Sequence, residues 1–198
     1  MRFGVIGAGN IGQAVAGHAV AAGHEVIISS RRGGESLAAA AVAVGATPGT
    51  VAEAASGEIV LLAVPWTAVP EALAGLTWDG QVLVDATNAF ISFSPMQVED
   101  FGDGTSSERV ASLAPGAHVV KAFNTLFARF IAAETRREAG RSLLFYAGDD
   151  AGAKERFAAF ADGLGFAPVD VGGLHSGGAF MAAGGGPLSG LHALKVEP

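Results

Sequence analysis

A glycine-rich turn between an apolar strand and a helix constrains this chain more than any other feature. The run Phe3-Gly4-Val5-Ile6 leads straight into Gly7-Ala8-Gly9-Asn10-Ile11-Gly12, and residues 10–22 then carry Ile11, Ala14, Val15 and His18 at helical spacing. Each glycine has a mechanical reason. Gly7 permits the tight turn out of the strand, Gly9 leaves room for a pyrophosphate against the backbone, and Gly12 lets the helix pack closely on the strand. Backbone N–H groups at Asn10 and Ile11, aided by the helix dipole, then face the phosphates. A strand, this turn and a helix in that order predict a dinucleotide-binding unit.

Such a unit reads the cofactor's adenosine ribose at the end of its second strand, about 20 residues further on. The strand Glu25–Ser29 ends there in Ser29-Ser30-Arg31-Arg32, with no acidic residue to accept hydrogen bonds from two ribose hydroxyls. Hydroxyls and guanidiniums suit a 2′-phosphate instead, because arginine gives planar, charge-assisted hydrogen bonds to phosphate oxygens. The expectation is NADP(H), with Ser30 and Arg31 on the phosphate, Arg32 on the phosphate or stacked on the adenine, and Ser29 closing the strand.

The remainder of the chain repeats the pattern. Helices are expected over 34–44, 50–55 and 66–73, and strands over 58–64 and 81–85. After a long irregular stretch follow a strand at 118–123, a helix at 127–133, a strand at 142–147, a helix at 150–164 and a strand at 166–171. Glu58-Ile-Val-Leu-Leu-Ala-Val64 is almost continuously apolar, as in a parallel sheet covered on both faces. The fold class is therefore α/β, one Rossmann-like, doubly wound, mostly parallel sheet with helices on both faces, forming a single domain over residues 1–198. Two segments depart from this. Residues 86–107 read as a long loop, up to a capping box at Thr105-Ser-Ser-Glu108 that starts a helix near 106. Residues 172–198 read as a glycine-rich tail that covers the active site or contacts a second subunit.

Strand ends on the same edge add candidates. Val64-Pro65-Trp66 follows the fourth strand, where Pro65 holds the backbone against the nicotinamide ribose. Trp66 either flanks the nicotinamide ring or packs under the next helix. Asp85-Ala-Thr-Asn88 ends the neighbouring strand, with Asn88 either an amide contact or a turn residue. A carbonyl reductase wants a general acid near its carbonyl, and the candidates are poor: Tyr146 lies inside a strand, Lys121 lies near a strand's end and is a weak candidate, His18, His24 and His118 read as structural, and His175 and His192 in the tail are open to either reading. An acceptor that needs no strong acid, such as a flavin-like ring, fits this inventory.

Composition excludes other classes. With a net charge of −7 and scattered basic residues, nucleic acid and anionic membrane are not expected partners. Cysteine is absent, and no His/Asp/Glu cluster has metal-binding spacing. No apolar run is long enough to span a bilayer, and Met1-Arg2 leads directly into the first strand, so a cytoplasmic protein is expected.

With these motifs placed, the chain resembles the NADP oxidoreductases that use the deazaflavin coenzyme F420, and the related reductase domain of membrane ferric reductases. The resemblance rests on Gly7–Gly12, Ser29–Arg32, Val64-Pro65-Trp66, Asp85–Asn88, Ser106–Arg109, Ala147–Asp150 and especially Val119-Val-Lys-Ala-Phe-Asn-Thr125. It implies hydride transfer between NADP(H) and an isoalloxazine-type ring such as FMN, FAD or a deazaflavin. It places the nicotinamide near Pro65 and Asn88, and the acceptor between residues 122–127 and the tail at Gly186-Pro187-Leu188. Asn124, Thr125 and Pro187 thereby join Pro65 and Asn88 around the reacting rings, and the tail contributes to a homodimer. One departure matters: Asn124-Thr125 stands where deazaflavin-using members have His-Thr. Two further readings are weighed beside this one, a reductase of small imines or ketones and a non-catalytic NADP(H)-binding regulatory module.

Overall fold

The computed structural model describes residues 1–31 and 33–196. The strands are β1 (Arg2–Ile6), β2 (Glu25–Ser29), β3 (Thr47–Pro48), β4 (Ile59–Leu62), β5 (Val82–Asp85), β6 (Phe90–Phe93), β7 (Met96–Val98), β8 (His118–Ala122), β9 (Arg136–Arg137), β10 (Gly140–Gly148), β11 (Ala167–Asp170) and β12 (Leu194–Lys195). The helices are α1 (Asn10–Ala21), α2 (Gly34–Val44), α3 (Val51–Ala55), α4 (Val69–Leu73, entered through a 3-10 turn at Trp66–Ala68), α5 (Ser106–Leu113), α6 (Ala128–Ile131), α7 (Ala151–Gly163) and α8 (Ser176–Met181). The main sheet runs β11-β10-β8-β5-β4-β1-β2-β3, with β9 and β12 appended to β10.

Side chains alternate between two cores along each central strand, as the period of two requires. Phe3, Val5, Ile59, Leu61, Val82 and Val84 pack against α1, α2, α6 and α7 through Val15, Leu37, Ile131 and Phe157. Ile6, Val60, Leu62 and Leu83 pack on the opposite face against α3, α4 and α5 through Ala54, Val69, Leu73 and Val110. The mostly parallel, two-faced sheet expected from the sequence is therefore present.

Three details differ from the sequence reading. First, β10 runs antiparallel to β8, pairing Tyr146 with Ala122. A parallel return needs a crossover, usually helical, of a dozen or more residues. The helix expected over 127–133 shrinks to the single turn of α6, so the chain comes back antiparallel. Second, residues 86–107 are not all loop, because β6 and β7 form a hairpin there. Its strands are only four and three residues long, with a register shift between them, so no clean alternation marks them. Third, the tail contains a helix, α8. Its glycines serve close packing: a Cβ on Gly177 would sit 2.7 Å from the Ala147 side chain and 2.7 Å from the Val171 carbonyl.

Candidate active site

Register assembles the site. Across the sheet, Ile6 pairs with Ser29 and with Leu62, Leu62 with Asp85, and Asp85 with Lys121. These residues form one row at the carboxyl edge of the parallel strands. The loops that follow hold the candidate residues: 7–12, 29–32, 63–66, 85–88 and 122–125. Strand β1 sends its chain to β2 on one side, while β4 lies on the other, so the order reverses at β1 and β4. Open α/β sheets bind ligands at such a switch point.

At this point the glycine turn has the geometry its sequence calls for. Gly7 has a φ of 115°, and a Cβ there would lie 2.3 Å from the Ala63 carbonyl. A Cβ on Gly12 would lie 1.9 Å from the Gly7 carbonyl, so helix and turn touch. At Gly9 a Cβ would meet nothing within 4 Å, which leaves open space over the backbone. Gly9 is also the N-cap of α1 and supplies no capping side chain. The first intrahelical bond runs from the Gln13 N–H to the Gly9 carbonyl, 2.9 Å, so the N–H groups of Asn10, Ile11 and Gly12 lack helical acceptors. A bare helix N-terminus under open space fits a pyrophosphate.

Ser29 is fully buried and donates its hydroxyl to the Val5 carbonyl at 3.0 Å, closing the strand as expected. The Ser30 hydroxyl accepts from the Gly33 N–H at 3.3 Å and holds the following turn. Arg31 is exposed and pairs with Glu71 at 3.0 Å, both side chains being well solvated. Such a pair is weak, so the guanidinium is available to a phosphate. Arg32 lies outside the described residues.

Trp66 does not flank the ring site. It is buried among Val69, Leu73 and Val110, stands edge-on to Phe101 at 5.5 Å, and donates its indole N–H to the Glu99 carboxylate. An indole at the start of a short helix buries more apolar surface inward than over a crevice, and the hairpin supplies Glu99 as a partner for its N–H. Pro65, immediately before it, remains exposed at the edge, with Val64 half-buried beside it.

Lys121 is not an acid at the edge either. Its ammonium, 1% exposed, donates to Asp85 Oδ2 at 2.9 Å and to the Thr87 carbonyl at 2.5 Å. Asp85, fully buried, also accepts from the Thr87 N–H, the Thr87 hydroxyl and the Ser107 hydroxyl at 2.9, 2.6 and 3.0 Å. This network fixes the turn 85–88, and sequence reasoning missed it. Its one readable signal is a charged residue near the end of each of two apolar strands.

The turn presents Asn88 to Asn124. Asn88 Nδ2 donates to the Asn124 carbonyl at 3.0 Å, and Asn124 Nδ2 donates to Asn88 Oδ1 at 3.1 Å and to the Met181 carbonyl at 2.7 Å. Phe123, just before, is the one non-glycine residue with positive φ among those described, at 64°. Strained backbone of this kind collects at functional sites. The tail lies over this corner: the Gly190 N–H donates to the Thr125 carbonyl at 2.9 Å, and Leu188 packs near Met181. Pro187 is exposed on that segment and lies next to Leu188. The tail is rooted on α5. Thr105 donates its hydroxyl to the Leu174 carbonyl at 3.0 Å, and His175 sits 3.3 Å from Glu108. Burial pushes the Glu108 carboxyl up, but hydrogen bonds from Thr105 and His175 outweigh it and hold the group below its usual range.

His18, His24 and His118 are structural. His18 bonds the Ile131 carbonyl at 2.6 Å, His24 packs on Phe160, and His118 lies 3.7 Å from Asp150 at the opposite edge. That opposite edge also holds a cavity of about 600 Å³ bordered by Met1, His24, Glu58, Gln81 and Phe160. It lies at the amino ends of the strands, away from every loop of the row above. Among the described residues no group of three or more His, Asp or Glu is placed to hold a metal ion. No helix among them is long and apolar enough to cross a membrane.

Comparison with known proteins reads the same edge. Residues 2–89, which hold the glycine turn and the loops after β2, β4 and β5, match the family described as NADP oxidoreductase, coenzyme F420-dependent. Over these residues the chain is similar to the coenzyme F420-dependent NADP oxidoreductases. A hypothetical protein from Sinorhizobium meliloti superposes with a TM-score of 0.92 at 37% identity, covering 98% of this chain and 96% of that one. A putative F420-dependent NADP reductase from Arthrobacter sp. FB24 superposes with a TM-score of 0.72 at 25% identity, covering 88% and 86%. Metalloreductase STEAP3 of Rattus norvegicus is 30% identical over 183 residues, which is 88% of this chain. The chain spans 34% of that curated relative's length. These similarities show a Rossmann-type fold over nearly the whole chain.

Proposed function

We propose that the chain transfers hydride between NADP(H) and a flavin or deazaflavin. The observation that carries this reading is the single carboxyl-edge row. A bare helix N-terminus over Gly9 and the phosphate-suited Ser30 and Arg31 stand at one end, and the paired Asn88 and Asn124 under the tail stand at the other. In this reading Gly9, Asn10 and Ile11 hold the pyrophosphate, and Ser30, Arg31 and Arg32 hold the 2′-phosphate. Pro65 borders the nicotinamide ribose, and Asn88, Asn124, Thr125 and Pro187 surround the rings. The bound nicotinamide supplies the hydride chemistry. The protein's own share is orientation and exclusion of water. Two findings favour a ring acceptor over a small imine or ketone. Lys121 is sealed by Asp85 and is not free to protonate a carbonyl, and the Arthrobacter relative is named as a putative F420-dependent NADP reductase.

We also propose a homodimer. Ile91, Phe93, Met96, Phe127, Phe180 and Leu191 are large apolar side chains exposed on the hairpin, the tail and the loop between them. A Cβ on Gly184 would lie 3.0 Å from the Val98 side chain, and the Gly190 N–H bonds the Thr125 carbonyl, so these segments adjoin. A second copy would shield them from water.

The test is to mix the protein and NADPH separately with FMN, FAD, riboflavin, a deazaflavin and a panel of small imines and ketones, following loss of the reduced-nicotinamide absorbance. Turnover with a flavin or deazaflavin supports the proposal. Turnover only with small carbonyls or imines refutes it, as does tight NADPH binding with no turnover at all, the behaviour of a regulatory module.

A further inference from the structure

Asn124 is satisfied on one side only. Its nitrogen makes two hydrogen bonds, to the Met181 carbonyl and to Asn88, while its carbonyl oxygen, Oδ1, is buried with no partner. The residue is 6% exposed. The neighbouring Thr125, 2% exposed, has a buried hydroxyl that likewise lacks a partner. Buried polar atoms are nearly always paired, and each exception calls for an explanation. Here the same piece of chain covers both residues, through Met181 on Asn124 and Gly190 on Thr125.

The geometry of the amide suggests what the exception is for. Asn124 Nδ2 carries two hydrogens, one given to Asn88 and one to Met181. If Met181 lets go, Asn88 still orients the group. The freed N–H and the unpaired Oδ1 then offer a donor and an acceptor for one planar partner. The complement is an amide edge, N–H beside C=O, bound through two hydrogen bonds. The Met181 side chain stays buried beside Phe145 and Ala147, so what is displaced is its carbonyl. That carbonyl lies at the end of α8, where the next residue is extended and the segment beyond bends through Gly184 and Gly190 at φ 84° and 77°. Its root at Leu174 and His175 is separately anchored on α5 and can stay in place.

We infer that Asn124, held by Asn88, is a specificity-determining residue that reads a planar amide edge of the ligand once the Met181 carbonyl is displaced. This rests on the proposal that the reacting rings meet at this edge. Two ring systems carry such an edge: the carboxamide of the nicotinamide and the imide of a flavin or deazaflavin.

Equilibrium binding, without turnover, tests this on the full chain. Two probe pairs are used: lumiflavin against 3-methyllumiflavin, and NADP against its 3-acetylpyridine analogue, each second member lacking the N–H. For at least one pair, wild type should bind the N–H member about tenfold more tightly, the scale of one net hydrogen bond. Asn124→Leu should abolish that preference, and Asn88→Ala, at a half-buried position, should reduce it. The pair that discriminates identifies the ring. Equal binding within both pairs in wild type overturns the inference, and so does a preference that survives folded Asn124→Leu or is untouched in Asn88→Ala. If flavin turnover fails while the NADP pair still discriminates, the hydride-acceptor proposal falls and the reading of Asn124 stands.

Discussion

Replacing Lys121 with methionine separates the charge of the Asp85 network from its shape. Methionine fills a similar length but removes both hydrogen bonds of the ammonium, to Asp85 and to the Thr87 carbonyl. Removing one partner of a buried ion pair typically costs about 3–5 kcal/mol, because the other charge stays buried. Asp85 would keep three donors, from Thr87 N–H, Thr87 hydroxyl and Ser107 hydroxyl, so the loss should fall at the lower end of that range. Against a total stability of about 5–15 kcal/mol this is large. With a urea slope of roughly 2–3 kcal/mol per molar for a domain of this size, the unfolding midpoint should drop by about 1 M or more. The double variant Lys121→Met with Asp85→Asn should recover part of the loss, since it leaves no unpaired charge. The assay is urea unfolding of wild type, both singles and the double, closed as a mutant cycle. A Lys121→Met loss under about 1 kcal/mol, or strictly additive effects, would refute the view that this pair holds the turn beneath Asn88.

Other outcomes follow from single contacts. Gly9→Ala should leave stability within about 0.5 kcal/mol of wild type, since a Cβ there meets no protein atom, yet weaken NADP(H) binding strongly. Gly12→Ala should destabilise the fold itself, because its Cβ would lie 1.9 Å from the Gly7 carbonyl; unfolding curves and titration calorimetry on both variants check the contrast. Arg31→Ala breaks only an exposed pair with Glu71 in the free protein, so stability should hardly change. Loss of one charge-assisted bond should weaken NADPH by roughly tenfold to a hundredfold while NADH is unaffected, and equal loss for both would sink the 2′-phosphate assignment. Acid should also act through Asp162, whose carboxyl the Arg141 hydrogen bond holds below its ordinary 3.8, against the opposing effect of burial. Its contribution is present above that ordinary value and is lost as pH falls through the lower folded value. Asp162→Asn should therefore flatten the decline in stability below about pH 4, and an unchanged slope in acid urea titrations would contradict this.

How far the site could be read in advance depended on whether each signal was local. The glycine turn was legible because Gly7, Gly9 and Gly12 act within one loop, and the sterics at Gly7 and Gly12 follow from neighbours a few residues away or on the adjoining strand. The two-faced sheet was legible because apolar runs such as Ile59–Leu62 state their own burial. Trp66 was ambiguous for the opposite reason. Its indole is settled by Glu99 and Phe101, which belong to a hairpin whose short strands left no periodic mark. The Asp85 and Lys121 pair depends on a register across strands 36 residues apart in sequence, and a charge near the end of an apolar strand does not say what it meets. Asn124 goes a step further. The sequence places an amide beside the expected acceptor, but only the fold puts Met181 on its nitrogen and leaves its oxygen unpaired. What the residue types could not convey is which polar groups the fold leaves unsatisfied, and at this edge that asymmetry separates a structural asparagine from one kept for a ligand.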